Sequence, residues 1–443
     1  MKRMVAHIAH LFKHLSGIDL FRISSLNAIS VFLRLFFSYA TNKTIVLWLG
    51  PAGTALTEQL RNLVQGIQGV STLGISEAIT RYTSLYRKRD GRLRAFVRRS
   101  GRLVLSISVV IGLVVFVKAR FLSYHLFETG DYTPIIRMVG LLTPAYAYQM
   151  LLTAMLNGLE QYKKVVLINI IFHAVGFVVM VFLVLWRYME GALLAVALTP
   201  VLAFLFSALV LERKDLRLLA SPLSNGHQKM HDFGKRMWPY IGMALVSAVS
   251  IPLFTIMIRK SIMAYYDAEG IVYAGYWDAI RKISSFYFMF ITPVFAMHYF
   301  PRISRLSMPE AWRREIMRMI RYLYPAIFLG FVFIYLFRDS ITLFVFSDQY
   351  LPINGLYAWQ LSADAIRLFS LLLAYRMWVK GMTLHFVFAE LSYWILYYFL
   401  TSLFLPVRGL PGVMEALLWS NTYYLFLMLI YFRHSLLKDH SAN

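Results

Sequence analysis

The chain has 443 residues, of which 59% are apolar and 15% charged, and it carries a formal net charge of +23 and no cysteine. Such a composition is too apolar for an ordinary soluble protein. The missing cysteines exclude disulfides, thiolate metal sites and cysteine nucleophiles. The composition therefore predicts a polytopic membrane protein.

The apolar segments are long enough to cross a bilayer many times. Roughly 20 apolar residues span the hydrocarbon core, and the sequence holds about twelve such segments, six on each side of a polar linker at 211–236. We predict an all-α polytopic membrane protein in which a six-helix lobe (1–212), a cytoplasmic linker (213–236) and a second six-helix lobe (237–443) surround a central cleft. The predicted spans are 20–48, 54–84, 97–124, 132–158, 163–187, 190–212, 237–262, 270–298, 318–345, 354–379, 382–405 and 411–433.

The basic residues lie mostly on one side of the predicted membrane. With the N-terminus inside, the loops on that side carry about 29 of the 45 Lys and Arg residues, and the opposite loops carry about 7. This asymmetry predicts cytoplasmic termini and contact with anionic lipid headgroups, and it removes nucleic acid as the explanation for the positive charge. Residues 1–15 show no signal-peptide cleavage pattern, so the first span is expected to be retained.

The two halves contain a weak internal repeat at an offset of 218 residues. KARFLSYHLFETGDYTPI (118–135) aligns with LFRDSITLFVFSDQYLPI (336–353), with identical residues at Arg120 and Arg338 and at Pro134 and Pro352. Because each half has an even number of spans, the repeats would be parallel and related by an axis along the membrane normal. That arrangement leaves a cleft between the lobes.

Charged residues interrupt several predicted spans. An ionisable side chain near the bilayer centre costs about 2.5–3.5 kcal/mol, so it normally faces a cavity or a partner. In chain order, Arg34 stands alone in the first span. The second span contains EQLR, with Glu58 and Arg61, and EAITR, with Glu77 four residues before a basic residue.

The sequence DAIR occurs twice, once in span 8 and once in span 10. Asp278 and Arg281, and likewise Asp364 and Arg367, are three residues apart and so share a helix face. Each DAIR is therefore expected to contain an internal ion pair, which in the simplest interpretation only neutralises itself and ties helices together. Lys282 adds a cation beside Arg281.

Neutralisation leaves a surplus of cations inside the membrane. Five cations stand against Glu58, Asp278 and Asp364, which indicates an anionic ligand, and arginine suits bidentate binding of phosphate or carboxylate. The acids are interpreted as counterions or as carriers of a coupled proton. The candidate substrate-binding residues are Arg34, Arg61, Arg281, Lys282, Arg367 and Gln360, and the candidate counterions are Glu58, Glu77, Asp278 and Asp364.

The sequence shows no signature of an enzyme or of a cofactor site. It contains no metal-ligand spacing, no phosphate-binding loop and no nucleophile motif, so we expect no catalytic residues, no metal and no cofactor. His173 and His298 are isolated and are interpreted as packed side chains.

Residues 48–86, WLGPAGTALTEQLRNLVQGIQGVSTLGISEAITRYTSLY, resemble the first signature of the Wzx-type polysaccharide flippases of the multidrug/oligosaccharidyl-lipid/polysaccharide exporter superfamily. The shared elements are a Gly-Pro-x-Gly turn at 50–53 and a Thr-Arg-Tyr element at 80–82. AWQLSADAIR (358–367) is most similar to the enterobacterial common antigen branch, the lipid III flippases.

The resemblance implies a flippase of the bacterial inner membrane. Such a protein moves an undecaprenyl-pyrophosphate-linked oligosaccharide of the common-antigen or O-antigen type from the cytoplasmic to the periplasmic leaflet by alternating access. The resemblance also leaves room for partners in a polymerase or export assembly.

Three other function classes agree less well with these features of the sequence. A drug or metabolite antiporter of the same superfamily is expected to favour acids in its cleft, because its usual substrates are cations, whereas here the bases predominate. A membrane polysaccharide polymerase or ligase needs a large outer loop, and the predicted outer loops are short. A scaffold protein has no reason to bury five cations.

Overall fold

The structure is a computed structural model that describes residues 19–73, 76–87, 90–207, 209–219, 233–295, 299, 302–303, 306 and 308–437. The described residues form α-helices, short 3-10 helices and turns, and no strand occurs among them. The helices are α1 (Asp19–Ser71), α2 (Ser76–Tyr86), α3 (Asp90–Val117), α4 (Ala119–Phe127), α5 (Thr133–Gly158), α6 (Tyr162–Ser207), α7 (Arg213–Leu219), α8 (Phe233–Tyr266), α9 (Gly270–Val294), α10 (Pro309–Leu336), α11 (Arg338–Val345), α12 (Tyr357–Lys380), α13 (Thr383–Arg408) and α14 (Leu410–Leu437). The 3-10 segments are Asp267–Glu269 and Asp348–Leu356.

Two long helices each cross the membrane twice. The backbone of α1 turns at Gly50, with φ 60° and ψ −160°, a conformation that glycine adopts without steric cost. Pro51 then starts the second arm, where its missing N–H costs no helical hydrogen bond. The backbone of α6 breaks in the same way at Arg187 and Tyr188. These turns separate predicted spans 1 from 2 and 5 from 6.

Seven stretches of helix in the described residues are long and apolar enough to cross a membrane, and two of them, at 46 and 52 residues, suffice for two passes each. Helices α1 and α12 fall outside this set because they carry the charged and amide side chains that the sequence analysis singled out. The prediction of an all-α polytopic membrane protein is confirmed.

Three predicted spans are not single continuous helices in the structure. Span 2 is interrupted between α1 and α2, and span 3 divides into α3 and α4. Predicted span 9 (318–345) begins instead at Pro309 and divides into α10 and α11. The basic residues that had been assigned to loops lie in the first turns of α3 and α10, because a helix that leaves the membrane can continue with its charges in the headgroup region.

The internal repeat is visible in the secondary structure. Helix α4 ends at Phe127 and α11 ends at Val345, and these two residues are 218 positions apart, as the sequence repeat requires. Both short helices follow a long membrane helix and precede the next one. The two halves therefore share a connection of the same kind at the same place.

Within the described ranges, the apolar core consists of three clusters. Two lie mainly in the first half of the chain and include Tyr146 and Val184, and Phe96 and Met155, all nearly inaccessible to solvent. A larger cluster around Trp277 lies mainly in the second half and also takes in Val46 of α1. The predicted boundaries at 212 and 236 stay a prediction, since residues 220–232 lie outside the described residues.

The lobes are fastened together at the end of the molecule that carries α4 and α11, here called the α11 face. The ammonium group of Lys43 on α1 donates to the backbone carbonyls of Leu343 (3.3 Å), Phe344 (3.0 Å) and Phe346 at the end of α11. Lysine is a favourable cap there, because the carbonyls at a helix C-terminus lack intrahelical donors.

A second set of contacts lies beside this cap. The hydroxyls of Thr54 and Tyr350 are 2.6 Å apart, and Tyr39 donates to the carbonyl of Phe344 at 3.0 Å. Gly275 packs so closely on the backbone of Pro51 that a Cβ atom would lie 2.1 Å from its carbonyl oxygen. The lobes therefore close the α11 face.

Replacing Lys43 by methionine is expected to loosen this closure. Methionine keeps the apolar stem but cannot donate to the α11 carbonyls, a loss of about 1–2 kcal/mol. In a Ser38→Cys background, labelling by a membrane-impermeant thiol reagent from the α11 face should then rise several-fold, and the cysteine-free native chain supplies a clean baseline. Lys118→Met is the matched control. Equal labelling rates in both variants would show that the Lys43 cap does not hold the face closed.

Candidate substrate cleft

A cavity of about 320 Å³ lies near the middle of the molecule, between the first lobe and α9 of the second. Both arms of α1, both arms of α6, and α9 form its wall. Gln65 and Ser285 in this wall are exposed and lie farther from the α11 face than Arg61 and Lys282, so the cavity opens away from that face. The polar groups of the wall include Thr41, Asn42, Gln65, Gln68, Thr199 and Ser285.

Two predicted cations meet at this cavity from different lobes. Lys282 on α9 donates to a carboxylate oxygen of Glu58 at 2.8 Å, and the same oxygen accepts from Arg61 one turn along α1. Glu58 and Arg61 form an ion pair within α1, and Lys282 turns this pair into a bridge between the lobes. One carboxylate thus serves two cations.

A third cation, Arg34, lies near the cavity on the first arm of α1. It is one turn from Ser38, which lines the cavity, and its Nε atom is buried without a hydrogen-bond partner. In the described part of the chain Arg34 forms no ion pair. Arg34, Arg61 and Lys282 all lie close enough to His173 on α6 to act on it electrostatically. With Glu58 the only acid in this group, the cavity has a net positive charge.

Asp278 has a closer partner than the arginine predicted for it. Its carboxylate accepts two hydrogen bonds at 2.8 Å from the guanidinium of Arg259 on α8, and that guanidinium also donates to Gln59 of the first lobe. Arg281, the predicted partner, forms a longer ion pair with Asp278 at 3.8 Å. The side chains of Arg259 and Asp278 are only 1% and 3% exposed. Asp278 is therefore the counterion of Arg259, a buried arginine that was not predicted from the sequence.

The second DAIR lacks its expected internal pair. Asp364 forms no salt bridge with Arg367; instead its Oδ2 atom accepts hydrogen bonds from Ser284 (2.6 Å), Gln360 (2.8 Å) and Tyr287. The carboxylate faces α9 rather than its own arginine. The prediction of a self-paired DAIR is confirmed for Asp278 and Arg281, at the long distance of 3.8 Å, and is wrong for Asp364 and Arg367, because Asp364 bonds across to α9.

Replacing Asp364 by alanine is expected to destabilise the second lobe. The change leaves three donors without their acceptor, at about 1–3 kcal/mol for each group that stays buried. Asp364→Asn should cost less, because the amide keeps one acceptor oxygen. The midpoint of thermal unfolding in mild detergent should be lowest for Asp364→Ala, intermediate for Asp364→Asn and highest for the native chain. Equal midpoints for native and Ala would contradict the hydrogen-bond assignment.

Arg281 and Arg367 lie against aromatic rings in the second lobe rather than in the cavity. The Arg281 guanidinium is 4.5 Å from the centre of the Trp277 ring. Arg367 lies 4.8 Å from the ring centre of Tyr393 and 4.6 Å from that of Tyr424, and its Nη1 atom is buried without a hydrogen-bond partner. The structure therefore divides the predicted cations into a group at the cavity and a group in the second lobe.

The remaining predicted residues and two buried charges that were not predicted are placed as follows. The side chain of Glu77 and residue His298 lie outside the described residues. His173, interpreted as packed, lines the cavity. Glu390 (3% exposed) and Arg376 (3% exposed) are buried charges that the sequence analysis also missed. Among the described residues no group of three His, Asp or Glu side chains comes together as metal ligands would.

Comparison with known proteins gives consistent results at the levels of sequence and fold. No family model matches the chain. The chain is 27% identical over 416 residues to the lipid III flippases of Escherichia coli (strain K12) and Shigella flexneri, covering 93% of this chain and 97% of each relative.

Solved structures agree on the fold. An inward-facing multidrug resistance MATE family transporter of the MOP superfamily superposes with a TM-score of 0.71 at 14% identity, over 92% of this chain and 96% of that one. A MOP superfamily transporter from Pyrococcus furiosus, described as having a binding pocket of reverse polarity, gives 0.64 at 13% identity over 94% of both chains. The chain thus has the fold of the MOP superfamily transporters, and its predicted resemblance to the lipid III flippases is confirmed.

Proposed function

We propose that this protein is a flippase that moves an undecaprenyl-diphosphate-linked oligosaccharide, lipid III or a similar unit, from the cytoplasmic to the periplasmic leaflet of the bacterial inner membrane. The name of the curated relatives supports the substrate class, and the fold supports transport by alternating access. In this proposal the chain is a transporter rather than an enzyme, both termini are cytoplasmic, and the α11 face is periplasmic.

The observation that carries the proposal is the positively charged cavity between the lobes. Arg61 and Lys282 share Glu58 as their counterion, and Arg34 forms no ion pair among the described residues, so the positive charge of the empty cavity is not neutralised. A diphosphate diester carries two negative charges, which match the surplus. Guanidinium groups bind phosphate oxygens through paired hydrogen bonds, so Arg34 and Arg61 supply both charge and orientation.

The geometry suggests how binding leads to movement. The cavity is open on the side away from the α11 face, so in this arrangement the substrate enters from the cytoplasmic leaflet. An arriving diphosphate competes with Glu58 for Arg61 and Lys282, and in doing so it weakens a bridge that ties the lobes together. Loss of this bridge favours a rearrangement of the lobes around the bound anion.

In the second lobe, Arg281 and Arg367 lie against the rings of Trp277, Tyr393 and Tyr424, which are all buried. The Nη1 atom of Arg367 is also buried and has no hydrogen-bond partner. In this proposal an acidic sugar of the substrate reaches Arg367 only after the second lobe rearranges. Gln360 is instead engaged with Asp364, so a direct contact with substrate requires that this bond open. Roles of Asp364 and Glu77 in ion coupling stay predictions.

A leaflet assay tests the proposal. The purified full chain, reconstituted in vesicles that contain a fluorescent prenyl-diphosphate-linked oligosaccharide, should make the probe in the inner leaflet accessible to an external glycosidase. Vesicles with the denatured protein are the control. In cells, depletion of the protein should leave lipid-linked oligosaccharide on the cytoplasmic leaflet. An unchanged leaflet distribution in both systems would refute the flippase assignment.

A further inference from the structure

His173 has surroundings that the proposed function has not used. It lies on the first arm of α6, lines the cavity together with Gly176 one turn further on, and meets the ring of Phe172 edge-on at 5.3 Å. It is not fully buried. An imidazole at the wall of a substrate cavity can contact what enters it.

The charged groups that face His173 come from three helix segments. Arg34 lies on the first arm of α1, Arg61 on its second arm and Lys282 on α9. Glu58, the acid of the group, is held by Arg61 and Lys282. The second arm of α6 contributes the uncharged Thr199 and Pro200. In the described part of the chain no carboxylate forms an ion pair with His173.

These neighbours make the charge of the imidazole depend on the contents of the cavity. In the empty cavity three cations oppose a positive charge on His173, because like charges disfavour protonation. A bound diphosphate reverses the local field and favours the imidazolium. Histidine is the side chain that changes charge most readily near neutral pH, so this reversal can decide its state.

We propose that His173 is a ligand of the bound diphosphate and that it takes up a proton when this anion enters the cavity. The inference rests on the proposed function for the identity of the anion. Because linkage is reciprocal, a proton on His173 must strengthen anion binding by the factor by which the anion strengthens proton binding. Affinity for the diphosphate should therefore rise as pH falls.

The test measures binding by the full-length protein in lipid nanodiscs. The probe is a short-chain prenyl-diphosphate-linked sugar, a diester whose two charges stay constant near neutral pH. For the native chain, affinity at about pH 6 should exceed that at about pH 8 by on the order of tenfold. Calorimetry in two buffers of different ionisation enthalpy should show about half a proton taken up per probe bound near pH 7, since a tenfold change over two pH units corresponds to that average uptake, and little uptake near pH 8.

Two variants separate a ligand role from a packing role. His173→Gln should match the native affinity at the higher pH, lose the pH dependence and take up no proton. His173→Arg carries a fixed charge and should bind tightly at both pH values, again without proton uptake. His385→Gln is the control, since His385 packs on Tyr431 in the second lobe, and it should behave as the native chain.

The outcomes distinguish the two levels of the proposal. If His173→Gln keeps the pH dependence and the proton uptake, or if it weakens binding equally at every pH, His173 is not the linked group, and the flippase assignment stands. If the native chain moves lipid-linked oligosaccharide in vesicles but binds the probe without proton uptake, the inference is also overturned. If the native chain neither binds nor moves the probe, the proposed function fails and takes the inference with it.

Discussion

Replacing Arg34 by alanine is expected to lower transport of the lipid-linked oligosaccharide by at least roughly tenfold, because a hydrogen bond to a charged group contributes about 1.5–3 kcal/mol. Arg34 is the cavity cation that forms no ion pair in the described part of the chain, and its buried Nε atom lacks a hydrogen-bond partner. Its charge therefore remains available to the substrate. The rate of probe movement in reconstituted vesicles measures the effect.

Folding and substrate binding must be separated in this experiment. Removing a charge that lacks a counterion should not destabilise the empty protein, so Arg34→Ala is expected to keep the native expression level and unfolding midpoint. Arg34→Lys should retain part of the activity, since lysine keeps the charge but not the bidentate geometry. Arg120→Ala on α4, away from the cavity, is the matched control. Native transport rates in Arg34→Ala would remove Arg34 from the binding site.

Breaking the buried pair of Arg259 and Asp278 is expected to have the largest effect on stability. Removal of one partner of a buried ion pair costs about 3–5 kcal/mol, because the other charge is left without compensation. Asp278→Asn leaves Arg259 and Arg281 facing each other without an acid. In Arg259→Gln, Arg281 at 3.8 Å remains as a partner for Asp278, so this variant should lose less.

The double variant tests whether the two residues act as a pair. Arg259→Gln with Asp278→Asn replaces charges by amides that can bond to each other and to Gln59, so its loss should be smaller than the sum of the single losses. Unfolding midpoints of the purified protein in mild detergent give the three comparisons, and Arg120→Gln gives the baseline for a surface arginine. Strict additivity would mean that the contact contributes little.

Hydropathy was a sufficient guide to the fold because each span must satisfy its own backbone within the membrane. In lipid a single segment can do so only as a continuous helix, whose length is set by the bilayer. The turn at Gly50 and Pro51 was also readable, since both residue types favour that geometry. What hydropathy could not show is where a helix continues beyond the membrane with charged residues, as α3 and α10 do.

The sequence identified which residue types serve the site, but it did not identify their partners. Helix periodicity gives neighbours on one helix, and it therefore paired Asp278 with Arg281 and Asp364 with Arg367. The closest partners lie on other helices, and their positions depend on how those helices pack. Arg259 was not predicted as a site residue because it lies near the predicted end of span 7, where an arginine side chain normally extends to the headgroups.

The closure at the α11 face is made largely with main-chain atoms. Lys43 binds the carbonyl groups of residues 343, 344 and 346, which every amino acid supplies in the same place. Related proteins can therefore change the side chains at these positions without losing the seal, provided that the helix end and the lysine are kept. Selection for a tight closure in this segment therefore acts on the lysine and on the length of the helix more than on the side chains of residues 343, 344 and 346.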